Sequence, residues 1–196
     1  MREQGELFGG APDAMDGGAV LSACGRYRYH LWRVWDTARP QVAWVMLNPS
    51  KADATVDDLT LKKCMGFARQ WGYGGVHIVN LYAWRHKDPE VLASFVAEGG
   101  DGVGPENEAH LRAAMERTTL VVCAWGGHPL ARALAPSFFA KVPAGVVCEC
   151  LGRTAEGAPR HPSRLAYATP REPFAAEVER ATDTDAQASM QNGRDP

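Results

Sequence analysis

The sequence predicts an α/β protein, a three-layer α/β/α sandwich with a four-stranded parallel sheet at its centre. Two observations predict this fold. Four apolar runs of about six residues, rich in β-branched side chains, are typical of strands that are buried on both faces. Helical patterns fill the gaps between these runs, and such alternation implies parallel strands joined by right-handed crossovers.

The predicted strands are short and clearly delimited. They span residues 42–47, 76–81, 120–125 and 146–151, and each is bounded by glycine, proline or asparagine. Helices of that length would be unusually short. Upstream, residues 27–34 alternate between apolar and polar side chains, which predicts an additional N-terminal edge strand or hairpin arm.

Four predicted helices connect these strands. They span residues 57–71, 90–96, 106–117 and 129–140. The first carries apolar side chains on one face and stops at Gly72. The second is preceded by Asp88 and Pro89, a capping residue and a proline that begins a helix. Asp57 and Asp58 are expected to cap the first helix, or to meet the substrate, rather than to bind a permanent metal ion.

The folded part is expected to be a single domain over residues 21–180. The chain has 196 residues, which is typical of one domain. Residues 1–20 are rich in glycine and residues 181–196 are polar, so we expect both segments to be mobile tails.

Composition excludes several classes of protein. With 45% hydrophobic and 22% charged residues, the chain is neither disordered nor collagen-like. No apolar run approaches the ~20 residues of a membrane span, so no membrane partner is expected. Five scattered cysteines favour reduced thiols and a cytoplasmic location. A net charge of −2 excludes a strongly basic surface overall but leaves room for a local basic patch. The oligomeric state stays open.

Polar side chains follow each predicted strand at the point where it ends. Ligands of open parallel sheets bind outside the carboxyl ends of the strands, so these residues are candidates for one shared site. Strand by strand, they are Asn48 and Ser50 with Asp53, Asp57 and Asp58 in the next loop; Asn80 and Tyr82; Trp125 and His128; and His161 and Ser163. Any one of them alone is also explained as turn chemistry. Four polar strand ends at one edge favour a site.

Four short motifs carry a family resemblance. They are MLNPS at 46–50, HIVNL at 77–81, VVCAWG at 121–126 and HPSRL at 161–165. In order and spacing they resemble motifs of the uracil-DNA glycosylase superfamily, whose members share a three-layer fold with a four-stranded parallel sheet. The stretch from Arg26 to about His161 resembles still more closely a bacterial and phage family known as domain of unknown function 1643. This second resemblance implies no activity.

The glycosylase resemblance implies a hydrolase that cleaves the N-glycosidic bond of a modified or mismatched base, without a cofactor. DNA, or a nucleotide or nucleobase ligand, would be its partner. Asn48 would hold the attacking water, and a neutral His161 would donate a hydrogen bond to the departing base. The remaining candidate substrate-binding residues are Ser50, Asp53, Asp58, Asn80, Tyr82, Trp125, Ser163, Arg164 and Leu165. Among these, Asn80 would contact a base edge and Tyr82 would stack on the extruded base.

The loop after the fourth strand also predicts a contact with DNA. Leu165 falls where the glycosylases place an apolar wedge, and Ser163 is positioned for a phosphate contact. Four arginines crowd this stretch and predict a basic lip, for which an ordinary solvated surface is an equal alternative. They are Arg153, Arg160, Arg164 and Arg171.

A second class of function stays open beside the glycosylase. The first motif has Asn48 where the most active glycosylases carry an acid, and the acids Asp53, Asp57 and Asp58 are absent from the glycosylase motif. These three acids favour a nucleotide- or nucleic-acid-binding protein of the same fold, with another base-modification activity or with no catalysis. A metal site finds no support, because the cysteines lack ligand spacing and Cys148 and Cys150 have no histidine nearby.

Overall fold

The computed structural model describes residues 15–50, 52 and 54–174. Within this part of the chain, seven strands form one mixed sheet. The strands are β1 (Asp16–Leu21), β2 (Arg28–Val34), β3 (Gln41–Met46), β4 (Gly75–Asn80), β5 (Leu120–Cys123), β6 (Val147–Cys150) and β7 (Glu172–Pro173). Their order across the sheet is β1-β2-β4-β3-β5-β6-β7.

The four predicted strands form the parallel centre of this sheet, in the order β4-β3-β5-β6. The expected four-stranded parallel sheet is nevertheless too small. Strands β1 and β2 extend it antiparallel on one side, and the two-residue strand β7 extends it antiparallel on the other. The predicted edge strand at 27–34 is β2, which pairs with β4 and is itself covered by β1.

Helices cover both faces of the sheet. They are α1 (Leu59–Gln70), α2 (Pro89–Ala97), α3 (Asn107–Glu116) and α4 (Pro129–Phe139), and a short 3-10 turn spans Pro162–Arg164. Along β3, Trp44 packs in one core with α1, whereas Ala43 and Val45 pack in a second core with α2, α3 and α4. This alternation of side chains places the helices in two separate layers.

Strand β1 lies mostly within the segment 1–20, whose composition predicts a tail. Its glycines have a packing reason. A Cβ atom on Gly18 would lie 2.4 Å from the ring of Trp32, and one on Gly17 would lie 2.8 Å from Arg33 Cδ. Both large side chains belong to the paired strand β2. The glycines therefore make room for them. The rest of the predicted N-terminal tail, and the tail at 181–196, lie outside the described residues.

Side-chain caps fix where the helices begin. Asp58 accepts a hydrogen bond from the Leu61 N–H and caps α1, as its position predicts. Asp88 caps α2 in the same way through the Glu90 N–H. None of the helices in the described part of the chain is long and apolar enough to cross a bilayer.

The order of the central strands determines where a ligand can bind. The connection through α1 joins β3 to its neighbour β4, whereas the chain then crosses to β5 on the other side of β3. Successive connections therefore leave β3 in opposite directions. Crevices form at the carboxyl ends of strands where this happens.

Candidate functional site

A small pocket lies at the carboxyl ends of β3 and β4, on the side of α1. Its volume is about 60 Å³. Five residues predicted from the strand ends line it together: Asn48, Ser50, Asp58, Asn80 and His161. Arg28 and Thr60 complete its polar side, and Leu31, Met46, Ala52, Leu61 and Ile78 complete its apolar side. The loop containing His161 thus reaches the same pocket as the end of β3, more than a hundred residues earlier in the chain.

Asn80 presents an amide N–H₂ group that has no partner among the described residues. Its side chain is 1% exposed, and its Oδ1 accepts a hydrogen bond from Arg28 Nη2 at 3.0 Å. Because a guanidinium can only donate, this contact fixes the orientation of the amide. Nδ2 is buried and makes no hydrogen bond within the described structure. A buried donor without a partner costs free energy, so this group is ready to bind a ligand acceptor.

Asn48 presents a hydrogen-bond acceptor, whereas Asn80 presents a donor. Its Nδ2 donates to the main-chain oxygen of His86 at 2.6 Å. This bond turns Oδ1 away from His86, and no described residue donates to that oxygen. An amide oxygen in this position can accept a hydrogen bond from a water molecule or from a ligand donor.

His161 is held in one tautomer at the mouth of the pocket. Its Nδ1 lies 3.4 Å from the Ser163 main-chain nitrogen and 2.8 Å from Ser163 Oγ. The main-chain N–H can only donate, so Nδ1 accepts and the ring proton lies on Nε2. Desolvation lowers the pKa of His161 below its usual value, and the negative charge of Asp58 opposes this shift. The ring is therefore a neutral donor at neutral pH.

Asp58 ties the pocket to the start of α1. Its Oδ1 caps the helix through the Leu61 N–H at 2.8 Å, and its Oδ2 accepts from Ser50 Oγ at 2.5 Å. The Ser50 proton is thus committed to Asp58, so Ser50 faces the pocket as an acceptor. Asp58 adds a negative charge near His161.

The pocket therefore offers an ordered set of hydrogen-bonding groups beside an apolar wall. Asn80 and His161 donate, whereas Asn48 and Ser50 accept. At about 60 Å³ the pocket is far smaller than the ~300 Å³ or more typical of coenzyme-sized ligands. The described residues contain no group of three or more histidine, cysteine, aspartate or glutamate side chains that could hold a metal ion. The arrangement suits the polar edge of one small heteroaromatic ring.

Three predicted contact residues lie in the protein core instead. Tyr82 is 4% exposed, and its hydroxyl donates to the Leu130 oxygen on the opposite side of the sheet. Trp125 is 5% exposed and packs edge-on against Phe138. Leu165 is 5% exposed and belongs to the core beneath α1, so in this structure it does not project as a wedge. Among the described residues, no phenylalanine, tyrosine or tryptophan ring lines the pocket.

The other predicted residues lie at the rim or outside the described structure. Ser163 is exposed, and its Oγ contacts His161 and, at 3.3 Å, Thr60. Arg164 is exposed beside it. Asp53 lies outside the described residues.

The predicted basic lip is partly neutralised. Arg153 pairs with Glu172 at 3.3 Å, and Arg171 pairs with Glu149 at 3.0 Å. Arg160 and Arg164 are exposed, and the described structure shows no ion pair for either.

Arg28 is the charged pocket residue that the sequence did not predict, and Thr60 is a further polar one. Strict two-residue alternation along β2 would place Arg28 and Leu31 on opposite faces of the sheet. The pairing of β1 with β2 shifts register between Val20 and Leu21, opposite Tyr29. This irregularity breaks the alternation, so Arg28 and Leu31 line the same pocket. The signal in the sequence was an arginine placed within a run of aromatic and apolar residues.

The matched family of proteins is one whose function is unknown. A family model described as "Protein of unknown function (DUF1643)" matches residues 28–163. Neither a curated protein nor a solved structure matches the chain. The matched segment begins at Arg28 and ends just after His161, so it contains every residue that lines the pocket.

Proposed function

The chain belongs to the DUF1643 family, and from the pocket within the matched segment we propose that it hydrolyses the N-glycosidic bond of a modified or mismatched nucleobase in DNA. One observation carries this proposal. Asn48 and His161, which come from the first and last glycosylase-like motifs, line one pocket together with the unpartnered amide of Asn80. A distant relationship to the uracil-DNA glycosylase superfamily is part of the same proposal.

The pocket groups match what this reaction needs. The bond between C1′ and the base nitrogen breaks with its electron pair leaving on the base, and water forms the new bond to C1′. The proton that the water loses is finally taken up by the departing base. Nε2 of His161 and Nδ2 of Asn80 are donors for the negative charge on the base. Asn48 Oδ1 is the acceptor that orients the water.

The apolar wall of the pocket suits a base that has been extruded from the DNA double helix. Leu31, Met46 and Ile78 provide apolar contact on the side of the sheet. Apolar side chains can flank an extruded base where no aromatic ring is present. Leu59, at the start of α1 beside the pocket residue Thr60, is 83% exposed and offers an apolar contact outside the pocket.

A screen of base excision tests the proposal directly. The full chain is incubated with single- and double-stranded oligonucleotides that contain uracil, mismatched or hypermodified bases, and abasic sites are detected by alkaline cleavage. We expect excision of at least one base, and its loss in Asn48→Ala purified in parallel. The parallel variant excludes a contaminating enzyme. Binding of an oligonucleotide without excision of any base would overturn hydrolysis and leave the binding function.

A further inference from the structure

A second cavity lies on the opposite side of the sheet, between α3 and α4. Its volume is about 400 Å³, several times that of the candidate site. Leu111 and Met115 of α3 face Leu134 and Phe138 of α4 across it. An apolar cavity of only ~150 Å³ is enough to hold a benzene molecule. The space between these helices is therefore large enough for a bicyclic compound.

One buried acceptor at this cavity has no partner. Asn107 is 2% exposed and lines the cavity, and its Nδ2 donates to the main-chain oxygens of Asn80 and Leu81 at 3.0 and 3.1 Å. These two bonds fix the amide, since rotation would turn Oδ1 toward two other oxygens. Within the described structure Oδ1 is buried and accepts no hydrogen bond. Such a group costs free energy until a donor reaches it.

The three charged side chains that line this cavity, Glu108, Arg112 and Lys141, are already in ion pairs. Lys141 Nζ, two residues beyond the end of α4, lies 2.7 Å from Glu108 of α3. Arg112 lies 2.8 Å from Glu116, which is outside the cavity lining. A charged ligand would have to compete with these ion pairs. The cavity therefore favours a neutral molecule.

From the apolar side chains of α3 and α4, the unpartnered Asn107 oxygen and the paired charges, we propose that this cavity binds a neutral small molecule with an apolar part and one hydrogen-bond donor. A hydroxyl or amine group of the ligand donates to Asn107 Oδ1, and the apolar part fills the space between α3 and α4. This site is separate from the candidate active site and does not depend on its proposed function. Asn107 also supports the main chain at Asn80, so the two sites share one structural element.

Two nearly isosteric probes test the donor requirement. 2-Naphthol and 2-methylnaphthalene differ by a hydroxyl against a methyl group. An entirely apolar cavity would prefer the methyl compound by about tenfold, because the hydroxyl loses its hydration on burial. We expect 2-naphthol to bind at least as tightly as 2-methylnaphthalene, at one saturable site. The measurement is an NMR titration of the full chain, with shifts expected at Leu111 and Leu134 but not at His161.

A cavity-filling variant locates the binding. Leu134→Trp places a large ring in the cavity and is expected to weaken 2-naphthol binding by tenfold or more. Ala133→Trp adds the same ring at an exposed position of the same helix, outside the cavity residues, and is expected to bind as the wild type does. Absence of saturable 2-naphthol binding, a tenfold preference for 2-methylnaphthalene, or unchanged binding in a folded Leu134→Trp protein would each overturn the proposal.

Discussion

Arg28 donates a hydrogen bond to Oδ1 of Asn80 at 3.0 Å, and this contact joins the antiparallel strand β2 to the carboxyl end of the central strand β4. Both side chains are almost completely buried. The contact decides which end of the Asn80 amide faces the pocket, and so it makes Asn80 a donor there. The strand added to the edge of the parallel block thereby determines the polarity of the candidate site.

Substitutions of Asn80 separate its role as an acceptor for Arg28 from its role as a donor in the pocket. Asn80→Leu removes an acceptor from a buried guanidinium and is expected to lower the free energy of unfolding by about 1.5–3 kcal/mol. Asn80→Asp retains an acceptor for Arg28 but replaces the donor in the pocket with a second oxygen. We expect Asn80→Asp to be the more stable of the two in urea unfolding, yet to lose excision. Wild-type excision by Asn80→Asp would show that this amide does not donate to the base.

The central fold was predictable because its signals are local. Each predicted central strand and each predicted helix lies within one or two residues of the observed element; for example, 42–47 corresponds to Gln41–Met46, and 106–117 to Asn107–Glu116. Continuous apolar runs indicate strands buried on both faces, and Asp58 and Asp88 mark helix starts by capping. These patterns depend on neighbours in the chain alone.

The peripheral strands and part of the site could not be predicted, because they depend on contacts between residues that are far apart in the chain. Gly17 and Gly18 resemble a tail in sequence, and only the overlying Trp32 and Arg33 show why a strand needs them. Tyr82 lies two residues beyond the end of β4, yet its side chain packs on the opposite side of the sheet, away from the pocket. Periodicity does not reveal the direction of a side chain just beyond a strand end. For the same reason it did not distinguish Tyr82 from Asn80.

Leu165 and Leu59 allow the stability effect of truncating a buried leucine to be compared with that of truncating an exposed one. Leu165 is 5% exposed, whereas Leu59 is 83% exposed. Leu165→Ala is expected to lower the free energy of unfolding by about 2–5 kcal/mol, because it leaves a cavity in the core. Leu59→Ala is expected to change it by no more than about 0.5 kcal/mol. Equal, small effects in urea unfolding would mean that Leu165 is not a core residue.

The half-buried His30 and the buried His77 make stability dependent on pH. His30 Nε2 lies 2.9 Å from His77 Nδ1, and His77 Nε2 also contacts Gln41 Oε1. Desolvation lowers the pKa of His30 to about 3, helped by the nearby His77, and lowers the pKa of His77 to about 4. Between about pH 6.5 and pH 4 the unfolded chain therefore binds more protons than the folded protein, so stability falls as the pH falls.

Each histidine of this pair contributes a slope of up to about 1.4 kcal/mol per pH unit in that range. Urea unfolding at several pH values between 4 and 7 measures the slope. The double variant His30→Gln/His77→Gln keeps polar side chains that do not titrate, and its slope is expected to be smaller than that of the wild type. Identical slopes would assign the acid sensitivity to other groups.

Asp58 influences the titration of His161. Desolvation lowers the pKa of His161, and the Asp58 charge raises it in part. Asp58→Asn retains a capping side chain but removes the charge, so we expect the pKa of His161 to fall further while stability changes little. NMR titration of the His161 ring measures this shift. If excision requires the neutral ring, the acid limb of its pH profile moves to lower pH as well. A rise in the pKa would contradict the proposed geometry.

His161 and His128 allow catalysis to be separated from structure. Each accepts a main-chain N–H from two residues ahead, each precedes a proline, and each caps a helical element. Of the two, His161 lines the pocket and His128 does not. Substitution by alanine removes the same kind of cap in both cases. His128→Ala also removes a contact with Glu90, whereas His161→Ala removes a donor from the pocket.

The rate of a single turnover decides the role of His161. If its Nε2–H stabilises charge that exists only as the bond breaks, His161→Ala lowers that rate by ~10²–10³ and leaves substrate affinity nearly unchanged. His128→Ala is expected to retain both, because it touches no pocket residue. A protein that only binds a nucleotide would instead lose affinity in His161→Ala and show no turnover in any variant. Rate, affinity and melting temperature are therefore measured on the same samples, and wild-type cleavage by His161→Ala would remove His161 from the reaction.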